Sequence, residues 1–337
     1  MALAEERLEL NGLTHYVIHI LPATPDLPLM IWVPDGPGET DSLLVYKAAP
    51  ILTRLFHTVT YDPRGTGRTF EQDQSLPESR AQLAEDLAAL IEAMCKRYEQ
   101  DQVVLFARSF GTTVAVDYIT AHPERIKAYI AASQVICPDQ AEKCRCEAME
   151  LMFNRLGQVN NILFMSEIHS LTGGEYHLET IPFFKRFRVK MMQRGMGILI
   201  SPVKWNKARK DMVQGSPNFR ESDLKNEKTA GKACKKLDLM KDFDFEKTDM
   251  DQYKNSFVQL YLSGTMDFVN PYPMVREKVI GERKKGQEQN PEYLLNGKRT
   301  MVFIPDARDR FVLEDPVAFW ALVFKYLPDS MKKGFKA

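Results

Sequence analysis

The sequence predicts an α/β protein with a mostly parallel sheet, helices on both faces of that sheet and a helical insertion. Residues 29–34, 58–62 and 103–106 are short, nearly unbroken apolar runs, as expected for strands that are buried on both faces. Helix-length segments separate these runs, which is the spacing that parallel strands require. The alternation stops between residues 136 and 255, and a chain of 337 residues suits one such core with a sizeable insertion.

The first strand signal lies in residues 14–21, where THYVIHIL alternates as an antiparallel edge strand does. His15 and His19 fall on one side of that strand, and we interpret them as solvent-facing or packed residues rather than ligands. The next strand, residues 29–34, leads into the sequence DGPG at residues 35–38. A bend of this composition after a strand is typical of an oxyanion hole, whose backbone N–H groups point outward, and also of an ordinary turn.

The third strand, residues 58–62, ends in the loop DPRGTGRT. Two glycines close to Arg64 indicate a tight loop that is pinned against its neighbours, so we interpret Arg64 as a structural anchor and not as a catalytic group. Residues 79–98 then form an amphipathic pattern that predicts a helix covering the sheet. Its apolar face consists of Leu83, Leu87, Leu90, Ile91 and Met94.

Residues 103–121 carry the strongest signal of a catalytic site. The apolar run at 103–106 is followed by ARSFG, and a helical pattern then continues until His122 and Pro123 end it. Small-x-Ser-x-Gly between a strand and a helix is typical of a nucleophile elbow, a tight turn that raises a serine hydroxyl above the sheet at a helix N-terminus. The alternative is a serine that only caps the helix. The pattern indicates Ser109 as the candidate nucleophile.

Residues 128–135 predict one more strand, and strand signals return only at residues 257–262 and 300–305. The intervening part contains helical stretches, a Met- and Phe-rich run and, at residues 220–247, a Lys-rich segment. We interpret the Lys-rich segment as a solvated face or a mobile loop.

The succession of DGPG, YDPRGTGRT, an amphipathic helix and ARSFGTTVAVDYITAHPERIKAYI resembles the α/β-hydrolase fold, and within it the proline iminopeptidase-like, S33 peptidase-like group. That group carries His-Gly-Gly-Pro-Gly in the first loop, Asp-Gln-Arg-Gly in the second and Gly-x-Ser-x-Gly at the elbow. The similarity covers about the first 135 residues in order and resumes after residue 255. It implies a hydrolase core of residues 1–135 and 256–337, with residues 136–255 inserted as a helical cap over the active site.

The resemblance also implies a catalytic acid and a pocket wall. Asp267, in Gly-x-x-Asp after the strand signal at 257–262, stands where the family keeps the acid of its triad, which orients and supports an imidazolium. The cap would line a substrate pocket with those Met and aromatic residues that are not plain helix core. The candidates are Phe183, Phe184, Phe187, Met191, Met192, Met196 and Trp205.

The sequence departs from this family at the catalytic histidine. Related proteins place it five residues before the Glu of Leu-Glu-x-Pro, and counting back from Glu314 reaches Asp309. No histidine follows His177. Three further positions depart from the family: Asp35 in the first loop, Ala107 for an elbow Gly, and Arg108 at a position that is often His.

A serine hydroxyl is a weak nucleophile until a base takes its proton, and a positioned base contributes roughly 10²- to 10⁴-fold. A carboxylate with an ordinary pKa of about 4 is a weak substitute. Burial beside Asp35 and Asp267 would raise the pKa of Asp309 and let it act as base or acid. Pairing with an arginine would leave it an inert salt bridge; the candidates are Arg108, Arg308 and Arg310. A cap histidine entering the site is the remaining alternative, from His169 or His177.

Composition narrows the classes of function. Lys plus Arg and Asp plus Glu each number 45, so no net charge favours nucleic acid or an anionic membrane. The five cysteines show no zinc or Cys-x-x-Cys spacing and indicate reduced thiols of an intracellular protein. The acidic start MALAEERLEL and the lack of a long apolar run predict a soluble, cytoplasmic protein. We expect no metal or organic cofactor and a small-molecule or short-peptide partner, and the oligomeric state stays open.

Three hypotheses follow. The first, which the resemblance favours, is a hydrolase of a small ester, amide or peptide with Ser109 as nucleophile. Asp267 and Asp309 would support Ser109, and the backbone amides of Gly36 and Phe110 would form the oxyanion hole.

The missing histidine favours the other two hypotheses. One is a non-hydrolytic isomerase, cyclase or lyase that uses Asp35 and Asp309 as acid and base, in a pocket that also contains Arg108. The other is a non-catalytic member that binds a small ligand or a protein.

Overall fold

The computed structural model of the chain describes residues 3–155, 157–174, 202–281, 293–296, 298–305, 307–308 and 310–332. Nine strands form one sheet in this part of the chain. They are β1 (Leu3–Leu10), β2 (Leu13–Ile20), β3 (Leu29–Val33), β4 (His57–Tyr61), β5 (Val103–Arg108), β6 (Ile126–Ala132), β7 (Val258–Gly264), β8 (Tyr293–Asn296) and β9 (Arg299–Ile304). Their order across the sheet is β1-β2-β4-β3-β5-β6-β7-β9-β8.

The six central strands, from β4 to β9 in the sheet order, pair in parallel. The pairs β1–β2 and β2–β4 at one end of the sheet, and β9–β8 at the other, are antiparallel. This arrangement confirms the mostly parallel sheet that the sequence predicts. Because parallel strands end at the same edge, the loops after β3, β5 and β7 come together there.

The prediction that residues 14–21 form an edge strand is wrong in one respect. β1 pairs with β2 along its whole length, so β2 lies inside the sheet and β1 forms the edge. The sequence analysis predicts no strand at residues 3–10, because four of the eight residues of LAEERLEL are charged. The exposed residues of β1 are Glu5, Arg7 and Glu9, which is the alternation of an edge strand with one face in solvent.

The helices pack on both faces of the sheet. In chain order the α-helices are α1 (Ala49–Leu55), α2 (Gly67–Gln72), α3 (Arg80–Arg97), α4 (Gly111–Ala121), α5 (Pro138–Arg155), α6 (Val159–Leu171), α7 (Pro202–Gln214), α8 (Glu221–Cys234), α9 (Tyr272–Ile280), α10 (Phe311–Glu314) and α11 (Pro316–Tyr326). None of these helices combines the length and the apolar character that spanning a bilayer requires.

The central strand β5 shows how the two faces are built. Val103, Leu105 and Ala107 belong to the apolar cluster that contains α3 and α4. Val104 and Phe106 belong to the cluster on the other face, which contains α1 and α11. All five side chains are fully buried, so the apolar run that predicted a doubly covered strand has the expected period of two.

Helices α5 to α8 lie between β6 and β7 in the chain. The Lys-rich segment includes α8, which buries Asp223, Ala230 and Cys234 while its lysines remain at the surface. The predicted pocket residues from Phe183 to Met196 lie outside the described residues, as does the side chain of Trp205.

Two arginines of the loop after β4 hold it in place. Arg64 donates two hydrogen bonds to the carboxylate of Asp86, at 3.0 and 3.1 Å, as expected of a structural anchor. Arg68 fixes α8 to the start of the chain.

The guanidinium of Arg68 is 5% exposed and donates to both carboxylate oxygens of Asp223, at 2.9 Å each. It also donates to Glu5 at 2.9 Å, to the hydroxyl of Tyr16 at 2.7 Å and to the carbonyl oxygen of Asn218. One buried side chain thus joins strands β1 and β2 to the inserted helices.

Candidate active site

Ser109 occupies a sharp turn between β5 and α4. Its φ of +48° lies in the left-handed region, which costs a non-glycine residue roughly 1–2 kcal/mol. Gly111 begins the helix so close to the loop after β3 that an added Cβ would lie 2.2 Å from the carbonyl oxygen of Pro34. Ala107 is fully buried, and its methyl group fits at the position where the family has a glycine. The residues that predicted an elbow therefore form one.

The Ser109 side chain lines a cavity of about 260 Å³ at the edge of the sheet where the parallel strands end. Ser109 is 9% exposed, and no residue in the described part of the chain hydrogen-bonds to its hydroxyl. Among the described residues, the charged ones that line this cavity are Asp35, Glu39, Arg145 and Arg310. The cavity places an accessible serine among mixed charges.

The backbone amides of Gly36 and Phe110 converge on one acceptor, as the oxyanion hole requires. That acceptor is the side chain of Asp35, whose Oδ1 receives a hydrogen bond from Gly36 at 2.8 Å and from Phe110 at 3.2 Å. In acyl transfer these two donors would hold the oxygen of the tetrahedral intermediate. In this structure a carboxylate of the chain itself holds that place.

Arg108 fixes Asp35 from the other side. Its Nη1 lies 3.1 Å from Asp35 Oδ2, while Nε and Nη2 donate to the two oxygens of Asp41 at 3.2 and 2.8 Å. Trp32 Nε1 donates to Asp41 as well, at 3.1 Å. The Arg108 side chain is 3% exposed and Asp41 is fully buried, so the pair is shielded from bulk solvent.

Burial raises the pKa of Asp35 above its usual value, with Arg108 acting in the opposite direction. For Asp41 burial also acts to raise the pKa, but the ion pair with Arg108 outweighs it and the pKa is lowered. Arg108 is thus a charge partner of both Asp41 and Asp35.

Asp267 follows β7 and is 2% exposed. Its Oδ1 accepts hydrogen bonds from the backbone amides of Val269 and Asn270, at 3.0 and 2.9 Å, and its Oδ2 accepts one from the hydroxyl of Ser133. The Asn270 side chain donates to the same Ser133 hydroxyl at 2.9 Å. The loops after β6 and β7 therefore hold Asp267 in one orientation.

Asp309, which the sequence analysis assigns to the position of the family's histidine, lies outside the described residues. Its two neighbours are described: Arg308 pairs with Glu314, and Arg310 lines the cavity beside Ser109. None of the histidines in the described ranges lines this cavity, and His169 is exposed on α6. His177 lies outside the described residues.

Helix α8 packs directly against the loop that carries the Gly36 amide. Gly38 has a φ of +78°, and an added Cβ would lie 2.8 Å from Cys234 Cβ and 2.9 Å from Gly231 Cα. The Cys234 thiol donates to the carbonyl oxygen of Gly65, 3.3 Å away. We call these four residues the small-residue seam. The seam brings backbone against backbone, so helix and loop have one relative position.

Within the described residues no group of three or more His, Cys, Asp and Glu side chains is placed to hold a metal ion.

Sequence reasoning missed Asp41 and Ser133. Asp41 belongs to no motif, and only the position of Arg108 across two loops shows its role. Ser133 has a φ of +56° directly after β6, a conformation that the sequence does not signal.

The sequence model of the serine aminopeptidase family S33 matches residues 36–167. No curated protein matches the sequence. Solved structures give many matches. A proline iminopeptidase-related protein from Thermus thermophilus is 16% identical, with a TM-score of 0.56 over 97% of this chain and 98% of the other.

Two further solved structures are similar over nearly the whole chain. A membrane phospholipase A, described as a bacterial virulence factor, is 14% identical with a TM-score of 0.55 over 98% of this chain and 87% of the other. The 2-hydroxy-6-oxo-6-phenylhexa-2,4-dienoate hydrolase of Rhodococcus is also 14% identical, with a TM-score of 0.54 over 96% and 98%. At these identities the likeness establishes the fold.

Proposed function

The chain has the α/β-hydrolase fold and matches the S33 serine aminopeptidase family through its elbow, and from that premise we propose that it hydrolyses small esters, amides or short peptides through Ser109. One observation carries the proposal. Ser109 has a left-handed backbone at the elbow, beside a cavity of about 260 Å³. A serine that only capped the helix would not require this strained turn.

The proposed reaction is acyl transfer in two steps. The Ser109 oxygen bonds to the carbonyl carbon of the substrate, and its proton passes to a base and on to the departing alcohol or amine. Water then cleaves the acyl-serine, which releases a carboxylic acid and restores the hydroxyl.

The base in this proposal is Asp309, because it occupies the sequence position of the family's histidine. The proposed arrangement puts Asp267 beside Asp309, where its carboxylate would raise the pKa of Asp309 and so make it a better base. A carboxylate remains a poorer base than imidazole, and we expect turnover to be slow.

The names of the similar proteins support acyl substrates without selecting one. They cover a proline iminopeptidase-related protein, a phospholipase and a hydrolase of a dienoate. We propose residues 136–255 as the cap that selects the substrate, since its helix α8 contacts the Gly38 loop and Met240 lines the cavity.

Labelling with a fluorophosphonate tests the proposal. Intact-mass analysis should show one adduct on the wild-type protein after long incubation and none on Ser109→Ala. Peptide mapping should place the adduct on Ser109, and urea-unfolded protein serves as the control for non-specific reaction. A folded wild-type protein that gains no adduct and turns over no ester in a p-nitrophenyl panel contradicts the proposal.

A second function is favoured by the buried carboxylate of Asp35. Its raised pKa and its place between two amide donors suit an acid or base in an isomerisation, cyclisation or elimination. On this alternative Asp35→Asn abolishes activity and Ser109→Ala keeps it.

A further inference from the structure

Asp35 holds the place that a substrate oxygen needs. Its Oδ1 takes the hydrogen bonds of both amides, at 2.8 and 3.2 Å. A substrate carbonyl that enters the hole must displace this oxygen, because one amide hydrogen makes one good hydrogen bond.

Arg108 holds the other carboxylate oxygen of Asp35. Arg108 binds Asp35 Oδ2 and is itself held by two hydrogen bonds to the fully buried Asp41. Both carboxylate oxygens of Asp35 are therefore occupied, and the side chain is only 14% exposed. Charge-assisted hydrogen bonds in such a buried place are stronger than neutral ones, so a neutral carbonyl competes poorly with Asp35.

We propose that Asp35 is an internal occupant of the oxyanion hole, and that removing its side chain uncovers a receptor for a small monocarboxylate and accelerates acylation of Ser109. The acceleration rests on the proposed function, whereas the carboxylate site does not. The carboxylate of Asp35 itself shows which chemical group the two amides accept. Access to the hole, and not only the nature of the base, then limits the reactivity of Ser109.

The fold should survive removal of the Asp35 side chain. Arg108 keeps its two hydrogen bonds to Asp41, so the buried cation stays paired. Glu39 gives a matched control, because it lines the same cavity and carries the same charge, and no hydrogen bond joins it to either amide in the described part of the chain.

The first experiment compares fluorophosphonate labelling rates. Labelling forms the bond between Ser109 Oγ and phosphorus, breaks the P–F bond and releases fluoride and a proton. A single oxyanion-hole donor is worth about 10²- to 10³-fold, so Asp35→Ala should label roughly 100-fold faster than wild type. Glu39→Ala should label within about threefold of wild type, and Asp35→Asn, which keeps an acceptor oxygen in place, should gain less than Asp35→Ala.

The second experiment does not depend on the reactivity of Ser109. Sodium butyrate is titrated calorimetrically into Ser109→Ala and into the double variant Asp35→Ala/Ser109→Ala, each shown to be folded by circular dichroism. Saturable 1:1 binding is expected only in the double variant.

The two experiments separate the proposals. If butyrate binds and Ser109 is labelled in no variant, the result supports Asp35 as the occupant of the oxyanion hole and contradicts the proposed hydrolase function. Equal labelling of wild type and Asp35→Ala, with no butyrate binding, overturns the occupant and leaves the hydrolase proposal intact. Equal acceleration by Glu39→Ala and Asp35→Ala would show an effect of charge alone and would also overturn it.

Discussion

Replacing Arg68 by Met should lower the free energy of unfolding by about 3–5 kcal/mol. Arg68 and Asp223 form a buried, two-point ion pair, with 5% and 2% of their side chains exposed. Burial alone would raise the pKa of Asp223, but the pair with Arg68 outweighs it and the pKa is lowered. Removal of one partner of a buried pair typically costs 3–5 kcal/mol, because a buried charge remains without its counter-ion.

Arg220 provides a matched control for this prediction. It contacts the same Asp223 carboxylate at 3.4 Å, but its side chain is 44% exposed. An exposed pair contributes about 0–1 kcal/mol, so Arg220→Met should change the stability little. Urea unfolding at pH 7, followed by circular dichroism, measures both variants, and unchanged m-values would show that the unfolded state is comparable.

A double variant tests whether the ion pair itself is responsible. Arg68→Met/Asp223→Leu removes both charges and should recover at least half of the loss, because no unpaired charge stays buried. The reasoning fails if Arg68→Met lowers the free energy of unfolding no more than Arg220→Met does. It also fails if the loss in the double variant equals the sum of the losses in Arg68→Met and Asp223→Leu.

Three further predictions concern stability and reactivity. Gly111→Ala should cost at least about 2 kcal/mol in urea unfolding, since its Cβ would meet the carbonyl of Pro34 at 2.2 Å. Gly231→Ala should leave the free energy of unfolding unchanged or raise it by up to about 1 kcal/mol, because the nearest atom to its Cβ is 3.6 Å away. Equal losses of stability in Gly111→Ala and Gly231→Ala would contradict this geometry. Burial lowers the pKa of His57 to about 4. An unfolded histidine titrates near pH 6.5, so below that pH the unfolded chain binds a proton that the folded chain refuses, and stability falls as pH drops towards 4. Between pH 7 and pH 5 this should cost about 2 kcal/mol, and a His57→Phe variant with the same slope would refute the assignment. Burial also raises the pKa of the Cys234 thiol to about 11, so iodoacetamide at pH 8 should modify it only after unfolding, as mass mapping would show. Rapid alkylation of Cys234 in the folded protein would count against its burial on α8.

The elbow was predictable because its constraints are local in the chain. A tight turn needs small residues beside Ser109, and the sequence shows them at the right spacing between a strand and a helix. The sheet was predictable for a similar reason, since doubly covered strands need unbroken apolar runs such as that of β5.

The contact of Asp35 with the two amides of the predicted oxyanion hole was not predictable in this way. The amides of Gly36 and Phe110 were expected to converge, but the position of Asp35 between them depends on a bond across 75 residues of chain. Arg108, which binds the other oxygen of Asp35, is itself held by a hydrogen bond to Asp41 across 67 residues. Neither contact leaves a periodic or spaced pattern in the sequence. Counting back from Glu314 assigns Asp309 to the position of the histidine in related proteins, and both this assignment and the place of Asp309 in the site stay predictions.

The small-residue seam limits which segments could replace α8. Where Gly38 meets Gly231 and Cys234, a Cβ added to Gly38 would lie within 2.9 Å of Cys234 Cβ and Gly231 Cα, so little space is left to absorb a change of register. Loops elsewhere between β6 and β7 can be lengthened or exchanged at small thermodynamic cost. A segment grafted from another protein, however, would have to bring its own turn of small residues to this point, or the loop bearing the Gly36 amide would be displaced. Exchange of segments should therefore succeed at the flanking loops and fail within α8.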